Sequence, residues 1–338
     1  MKITRIVAHT PGHAELEQFD YDPSTLKPDQ ILIRNAYSVI SAGTERAWLT
    51  ASANNPGQGF PYYPGYSASG IVEAVGSEVT NYKVGDRVIV STGGHRSYTV
   101  KNANSINVFR IDNDKIDLAE AAFAYIVTFP MLGVRKLRLD MGESVLVVGQ
   151  GILGLIAVQL ASLSGAIPVI ASDFDASRRE LGLKLGADVA LNPADADYRQ
   201  QILDLTEQRG VNAVVEVTGI AAALKQSLQC TAKMGRVSLL GCTRVPDAPI
   251  DFYQDVHLPG ITLIGSHTSN RPYGDSCHGQ WTEQDDYRTF LKYLGAGKLQ
   301  IRPIISEIVS PAKATEVYDR LVNVKNPPLG IVFDWNQL

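Results

Sequence analysis

Residues 144–154 read Ser-Val-Leu-Val-Val-Gly-Gln-Gly-Ile-Leu-Gly, an apolar run that breaks into Gly149-x-Gly151-x-x-Gly154. A short run with no polar alternation suits a strand covered on both faces of a sheet. The glycines that follow permit a tight turn, close approach of backbone to a pyrophosphate, and close packing of the next helix on the strand. Such a spacing is weak evidence by itself, because glycine is common. Its context is what constrains the fold. Further apolar strands are predicted over 167–172, 211–217, 236–240 and 261–265, and helices over 152–164, 176–185 and 221–233. Strand and helix in strict alternation predict a doubly wound parallel sheet with helices on both faces.

Asp173 ends the second of these strands, about 20 residues beyond the glycines, where an acidic side chain accepts hydrogen bonds from an adenosine ribose. The expected contacts to a dinucleotide are Gly149, Gln150, Gly151, Ile152, Leu153, Gly154, Ser172 and Asp173. Thr218, Gly219, Gly241 and Cys242 sit at the ends of later strands and are candidates to line the nicotinamide half. Ordinary strand-to-helix turns are the alternative for any one of them. A carboxylate at 173 repels the extra phosphate of NADP, so NAD is expected over NADP. Arg178 and Arg179 are the counter-argument; a solvated helix face is the preferred reading of both.

The first 110 residues are different. Short strand-like runs at 30–35, 70–75, 87–91 and 97–100 are broken by Gly, Pro and Asn. Residues 52–64 form a loop dense in breakers and aromatics. A helix is predicted over 118–136, another over 282–294, and a third that opens at Ser310-Pro311, before a closing strand over 330–333. With 338 residues, 45% hydrophobic and 20% charged, the chain is ample for two cores. A net charge of −4 argues against nucleic acid or an anionic membrane as partner. No signal peptide and no apolar run of ~20 residues is visible. Cys230, Cys242 and Cys277 are too scattered for a disulfide framework. A cytoplasmic protein is expected.

The run Gly65-Tyr66-Ser67-Ala68-Ser69-Gly70-Ile71-Val72-Glu73-Ala74-Val75-Gly76, then Val84-Gly85-Asp86-Arg87-Val88, joins the glycine motif in resembling the medium-chain dehydrogenase/reductase superfamily across essentially the whole chain. Ser41-Ala42-Gly43-Thr44-Glu45-Arg46 together with Gly65–Ala68 most resembles a zinc-less branch. That branch includes the dehydrogenase half of bacterial bi-domain oxidoreductases and, more distantly, bacteriochlorophyllide dehydrogenases. The resemblance implies an α/β protein with a GroES-like β-rich catalytic domain over 1–123 and 269–338. It implies a Rossmann NAD-binding domain over 124–268, an active site in the cleft, and a homodimer joined through the Rossmann sheets. Because the bi-domain relatives carry a second oxidoreductase domain, a separate partner oxidoreductase is a further expectation.

Carried over position by position, the family's first two catalytic zinc ligands fall on Ala42 and Tyr66, and the acidic neighbour of the second on Ser67. Ala and Ser offer none of the donors zinc prefers. Residues 88–110 hold no cysteine for a structural zinc loop, and His95, His257, His267 and His278 are not at ligand spacing. No zinc is expected. Hydride transfer then needs side chains to manage the proton and the oxyanion. Thr44 matches the hydroxyl that bonds the substrate oxygen in the family. Tyr66 replaces a metal ligand and suits a proton donor. Glu45 and His95 are candidate bases, with an ion pair and a surface turn as their respective alternatives. His267 and Asn270, in the polar loop after the last strand, and Trp48 are candidate substrate contacts; Trp48, Tyr62, Tyr63 and Trp281 are read as sugar-stacking walls or core, with core the preferred reading of any one of them. The function expected is a zinc-independent, NAD-dependent oxidoreductase for a sugar, glycoside or cyclitol. A zinc-free, NADPH-dependent enone or quinone reductase and a non-catalytic NAD-binding protein are the alternatives.

Overall fold

The computed structural model describes residues 1–52, 59–243, 249–324 and 327–338, so the 53–58 part of the expected loop lies outside the described residues. The chain forms two compact units, residues 1–126 with 287–338, and residues 127–286.

The second unit is built on a six-stranded sheet in the order Val189–Leu191, Val169–Ser172, Val145–Val148, Val211–Glu216, Thr231–Leu239, Thr262–Gly265. Every neighbouring pair is parallel. This is the expected doubly wound α/β sheet, with its order reversing beside the strand that feeds the glycine turn. Leu146, Ile170, Val214 and Val237 are fully buried and form its core with Ile202 of the helix Tyr198–Leu205. The helix expected over 221–233 ends at Cys230, and Thr231 already pairs with Val211.

The first unit is β-rich. A seven-stranded sheet has Gln30–Val39 near its centre, flanked by Ser67–Val75 on one side and by Tyr98–Asn102 and Ile331–Asp334 on the other. Lys2–Thr10 and His13–Asp20 form a separate hairpin. The single helix expected over 118–136 is two, Leu118–Ala121 and Ala124–Leu137. At the break, Ser69 Oγ of a distant strand donates to Leu118 O at 2.6 Å and Ser67 Oγ to Ala122 O at 2.5 Å.

The chain returns to the β-rich unit later than the expected residue 269. Asp286, fully buried, accepts from Arg135 Nε at 3.0 Å and from Arg271 Nη1 at 3.2 Å. Arg271 also donates to Thr268 O at 2.9 Å and to Thr128 O at 3.3 Å, and Arg135 lies 3.9 Å over the Trp281 ring. These contacts hold residues 266–286 to the α/β unit. No helix among the described residues is long and apolar enough to cross a membrane. Asp286→Ala leaves two guanidinium groups without their shared anion, so it should lower unfolding stability by about 3–5 kcal/mol. A urea titration followed by circular dichroism checks this; an unchanged midpoint would refute the pinning role.

Candidate active site

The glycine turn of the α/β unit is shaped by steric demands that differ at each glycine. Gly149 has φ +93°, and a Cβ there would lie 2.8 Å from Thr218 Cγ2. A Cβ on Gly154 would lie 1.8 Å from Gly149 O, so only glycine lets the helix Ile152–Leu163 seat on the turn. Gly151, the N-cap of that helix, has no atom within 4 Å of its virtual Cβ. The space over the helix N-terminus is therefore open, and its N–H groups and dipole suit a pyrophosphate. Asp173 Oδ2 accepts Gln150 N–H at 2.7 Å while Oδ1 accepts Asp175 N–H at 2.8 Å. The carboxylate is thus fixed at the strand end, where a ribose would meet it. The turn fits a dinucleotide.

Two of the expected nucleotide contacts face inward. Gln150 is fully buried and its Nε2 donates to Val147 O at 2.9 Å. Ser172 is buried and accepts Tyr198 Oη–H at 2.8 Å. Both side chains are buried, so their backbone, not their side chains, is what faces a ligand at the sheet end. At the next strand end Glu216, 2% exposed, accepts Thr218 N–H at 2.8 Å, Gly219 N–H at 3.0 Å and the Thr218 hydroxyl. Burial pushes the Glu216 carboxyl up against the downward pull of those bonds. A Cβ on Gly241 would lie 2.2 Å from Gly219 N, so the two strand-end turns touch backbone to backbone. Cys242 is an exposed free thiol beside them.

In the β-rich unit, Tyr66, Ser41 and Thr44 come together at the start of the helix Ala42–Leu49. The Tyr66 hydroxyl donates to Ser41 Oγ and also shares a hydrogen bond with Thr44. Burial pushes the phenol well above its usual range, outweighing those two bonds, so Tyr66 keeps its proton. Its ring meets Tyr125 edge-on, with centroids 5.4 Å apart.

Glu45 and His95, read in the sequence as candidate bases, are side chains with 0% exposure. Glu45 Oε1 accepts Ser41 N–H at 2.8 Å; Oε2 accepts Tyr318 Oη–H at 2.5 Å and lies 3.2 Å from His95 Nε2. His95 Nδ1 lies 2.7 Å from Ser38 Oγ, which accepts the indole N–H of Trp335 at 2.8 Å. Ser38 Oγ thus joins the indole to Nδ1, while Nε2 faces the Glu45 carboxylate. The pair is a buried anchor, with neither group facing solvent. Gly65, with φ +95°, makes room for it: a Cβ there would lie 2.5 Å from His95 Cγ. Ser38, Ser41, Tyr318 and Trp335 were missed as members of this network. Only the proximity of Ser41 to the Thr44 motif could have flagged any of them.

Of the substrate candidates, Trp48 stacks on Tyr62 with centroids 5.2 Å apart and planes 12° from parallel. His267 and Asn270 are exposed; His267 Nδ1 accepts Ser269 N–H at 3.2 Å. The donor set does not fit a zinc ion. Ala42 has no ligating atom, Tyr66 is engaged with hydroxyls, and no group of three His, Cys, Asp or Glu suited to a metal occurs among the described residues.

Residues 27–130 match the alcohol dehydrogenase GroES-like domain model and residues 153–283 the zinc-binding dehydrogenase model. D-guloside 3-dehydrogenase of Shigella flexneri is 27% identical over 342 residues, covering 94% of this chain and 96% of the relative. L-threonine 3-dehydrogenase of Caldanaerobacter subterraneus subsp. tengcongensis is 31% identical over 285 residues, covering 73% of this chain and 78% of the relative. The chain is a medium-chain dehydrogenase/reductase. Its β-rich unit is the GroES-like domain and its α/β unit the Rossmann domain of this NAD(P)-dependent enzyme class. The solved galactitol-1-phosphate dehydrogenase of Escherichia coli shares the fold, with a TM-score of 0.84 at 20% identity over 98% of this dehydrogenase and 99% of that chain.

The glycines separate fold from binding. Gly151→Ala should leave thermal stability of the dehydrogenase unchanged but weaken nucleotide binding at least about tenfold, since the methyl enters the space over the helix N-terminus. Gly154→Ala should instead cost stability, on the order of 1–3 kcal/mol or more. Calorimetric titration with NAD and thermal unfolding of both variants check the contrast; equal behaviour of the two would contradict it.

Proposed function

We propose that this dehydrogenase transfers hydride to or from a hydroxyl-bearing carbon of a polyhydroxylated small molecule, uses NAD, and works without a catalytic zinc. The observation that carries the proposal is the Tyr66 phenol, bonded to Ser41 and Thr44 at a position where the zinc enzymes of the family place a ligand. The bound nicotinamide supplies the hydride acceptor or donor. The chain's own groups handle the oxygen and its proton.

Tyr66 holds a proton at Oη, because burial keeps the phenol neutral. When a carbonyl substrate is reduced, that proton turns from Ser41 Oγ to the carbonyl oxygen, and the Ser41 hydroxyl then donates to Tyr66 Oη. Thr44 hydrogen-bonds the same phenol and relays the proton. Ser41 is the acceptor that aims the phenol, and Glu45 fixes Ser41 through its backbone N–H. Glu45 and His95 therefore act as positioning residues. Asp173, fixed by two backbone N–H groups, supports NAD over NADP. The name of the D-guloside relative, which spans nearly the whole chain, supports a sugar-like substrate.

Purified protein given NAD and a panel of sugars, glycosides and cyclitols should reduce the nucleotide with at least one of them. Tyr66→Phe and Thr44→Val should each lower kcat by about 10²–10⁴ while leaving the fold intact. In the direction of carbonyl reduction, kcat should not fall below pH 10, because the phenol titrates above its ordinary value of 10. Stoichiometric zinc required for turnover, or full activity in Tyr66→Phe, would sink the proposal.

A further inference from the structure

The geometry points to an oxyanion site on the β-rich unit, formed by the Arg96 guanidinium and the Lys101 ammonium beside Thr92, that takes the phosphate or carboxylate group of a small molecule. It stands apart from the proposed reaction and does not depend on it.

Three cations gather where the strand Lys2–Thr10 meets the turn at residues 92–96, and among the described residues only Arg5 is paired with a carboxylate. Arg5 pairs with Glu17 at 2.7 Å and is covered by the rings of Phe19 and Tyr63, 4.7 and 4.4 Å from its guanidinium carbon. Arg96 bridges to Arg5 through the backbone, but no carboxylate among the described residues pairs with it. Its Nε is buried and has no hydrogen-bond partner. The guanidinium is packed against the turn, since a Cβ on Gly94 would lie 3.1 Å from Nη2. Lys101 Nζ donates to Thr92 O at 3.2 Å and to Thr92 Oγ1 at 3.3 Å. An ammonium has three donors, so one remains for a ligand.

This arrangement is costly without a counter-charge. Burial and then the Arg96 cation push the Lys101 ammonium down to about 8, and burial and then Arg5 push Arg96 down. No carboxylate offsets either shift. An oxyanion bound to both cations reverses the like-charge repulsion and supplies acceptors to the spare donors. The ligand class follows from the donor set: a planar guanidinium fork matches a two-oxygen edge, and the ammonium adds a point charge. The turn that carries the site is joined to the Tyr66 segment, with Thr92 N–H donating to Tyr66 O at 2.9 Å and Gly94 N–H to Gly65 O at 3.1 Å. The oxyanion therefore comes from one of two sources, an anionic group on the substrate or a free anion.

Thermal unfolding of the full chain, titrated with inorganic phosphate and separately with malonate against chloride at matched ionic strength, tests the site. Phosphate should raise the Tm of the wild type, and at ten times Kd the folded-to-unfolded ratio rises about elevenfold. The Arg96→Gln/Lys101→Gln variant should lose that response. Phosphate held at the glycine turn acts equally on both proteins and cancels in the comparison. Lys101→Gln alone, which removes one of two repelling cations, should unfold no earlier than the wild type in chloride and should also lose most of the response. It gives the reading if the double variant does not fold. A KM that rises in the variants only for a phosphorylated or carboxylated polyol assigns the site to substrate; an unchanged KM with the thermal response intact in the wild type assigns it to a free anion. No anion-specific shift in the wild type, or an equal shift in wild type and variants, overturns the inference.

Discussion

The buried Glu45 carboxylate organises the β-rich unit. A carboxylate out of water is tolerated only when its lone pairs are met. Here they are met by Ser41 N–H, His95 Nε2 and the Tyr318 hydroxyl. These partners arrive from the turn before a helix, from the turn at residues 92–96, and from a helix 273 residues further along the chain. The charge therefore demands that both ends of a discontinuous unit be in place together. Its reach continues through His95 to Ser38 and the Trp335 indole, which ties in the last strand. What this anchor delivers to the surface is orientation. Ser41 is fixed by its N–H, so its hydroxyl presents a fixed acceptor to Tyr66.

The α/β unit uses carboxylates in a related way, at strand ends. Asp173 gathers the N–H groups of Gln150 and Asp175, and Glu216 those of Thr218 and Gly219. Each acid shapes the turn beside it by accepting backbone donors that the sheet no longer uses. The two differ in what remains for a ligand. Asp173 is only partly buried, while Glu216 is 2% exposed and its carboxyl is pushed up by burial. Asp173 can still meet a ribose. Glu216 acts through the turn it holds, Thr218 and Gly219, against which Gly241 packs.

Local chemistry was legible in the sequence and long-range assembly was not. The strand, turn and helix over 145–163 could be read because glycine at 149, 151 and 154 answers a steric demand set within a few residues. Thr44 and Tyr66 could be singled out by family resemblance, and the structure brings them onto one hydroxyl cluster. Glu45 and His95 were read as separate candidates, because nothing in a linear pattern says that residues 50 apart share a hydrogen bond. Ser38 and Trp335, 297 apart, carry no signal at all. The expected helix over 118–136 failed for the same reason. Its own residues favour continuity, and the serines that bond to carbonyls at the break sit on a distant strand. The strand Val189–Leu191 is three residues long, too short for any period to show.

Under the proposed reaction, a phenol in place of a metal ligand changes what the protein must supply. A metal stabilises a developing oxyanion by charge, whereas a neutral phenol does so only through one aimed hydrogen bond. Such a donor is effective when its orientation is set before reaction, so that no reorganisation is required as charge develops. In this dehydrogenase every joint behind Tyr66 is fixed. The ring is held edge-on by Tyr125, the phenol oxygen lies against Ser41, and Ser41 is held by a carboxylate that has no exposure to solvent. The same burial that keeps the phenol protonated also makes it a poor base. Under the proposed reaction, oxidation must therefore pass its proton to an acceptor other than Tyr66. Thr44, half-buried and bonded to the phenol, is the member of the cluster placed to hand it on.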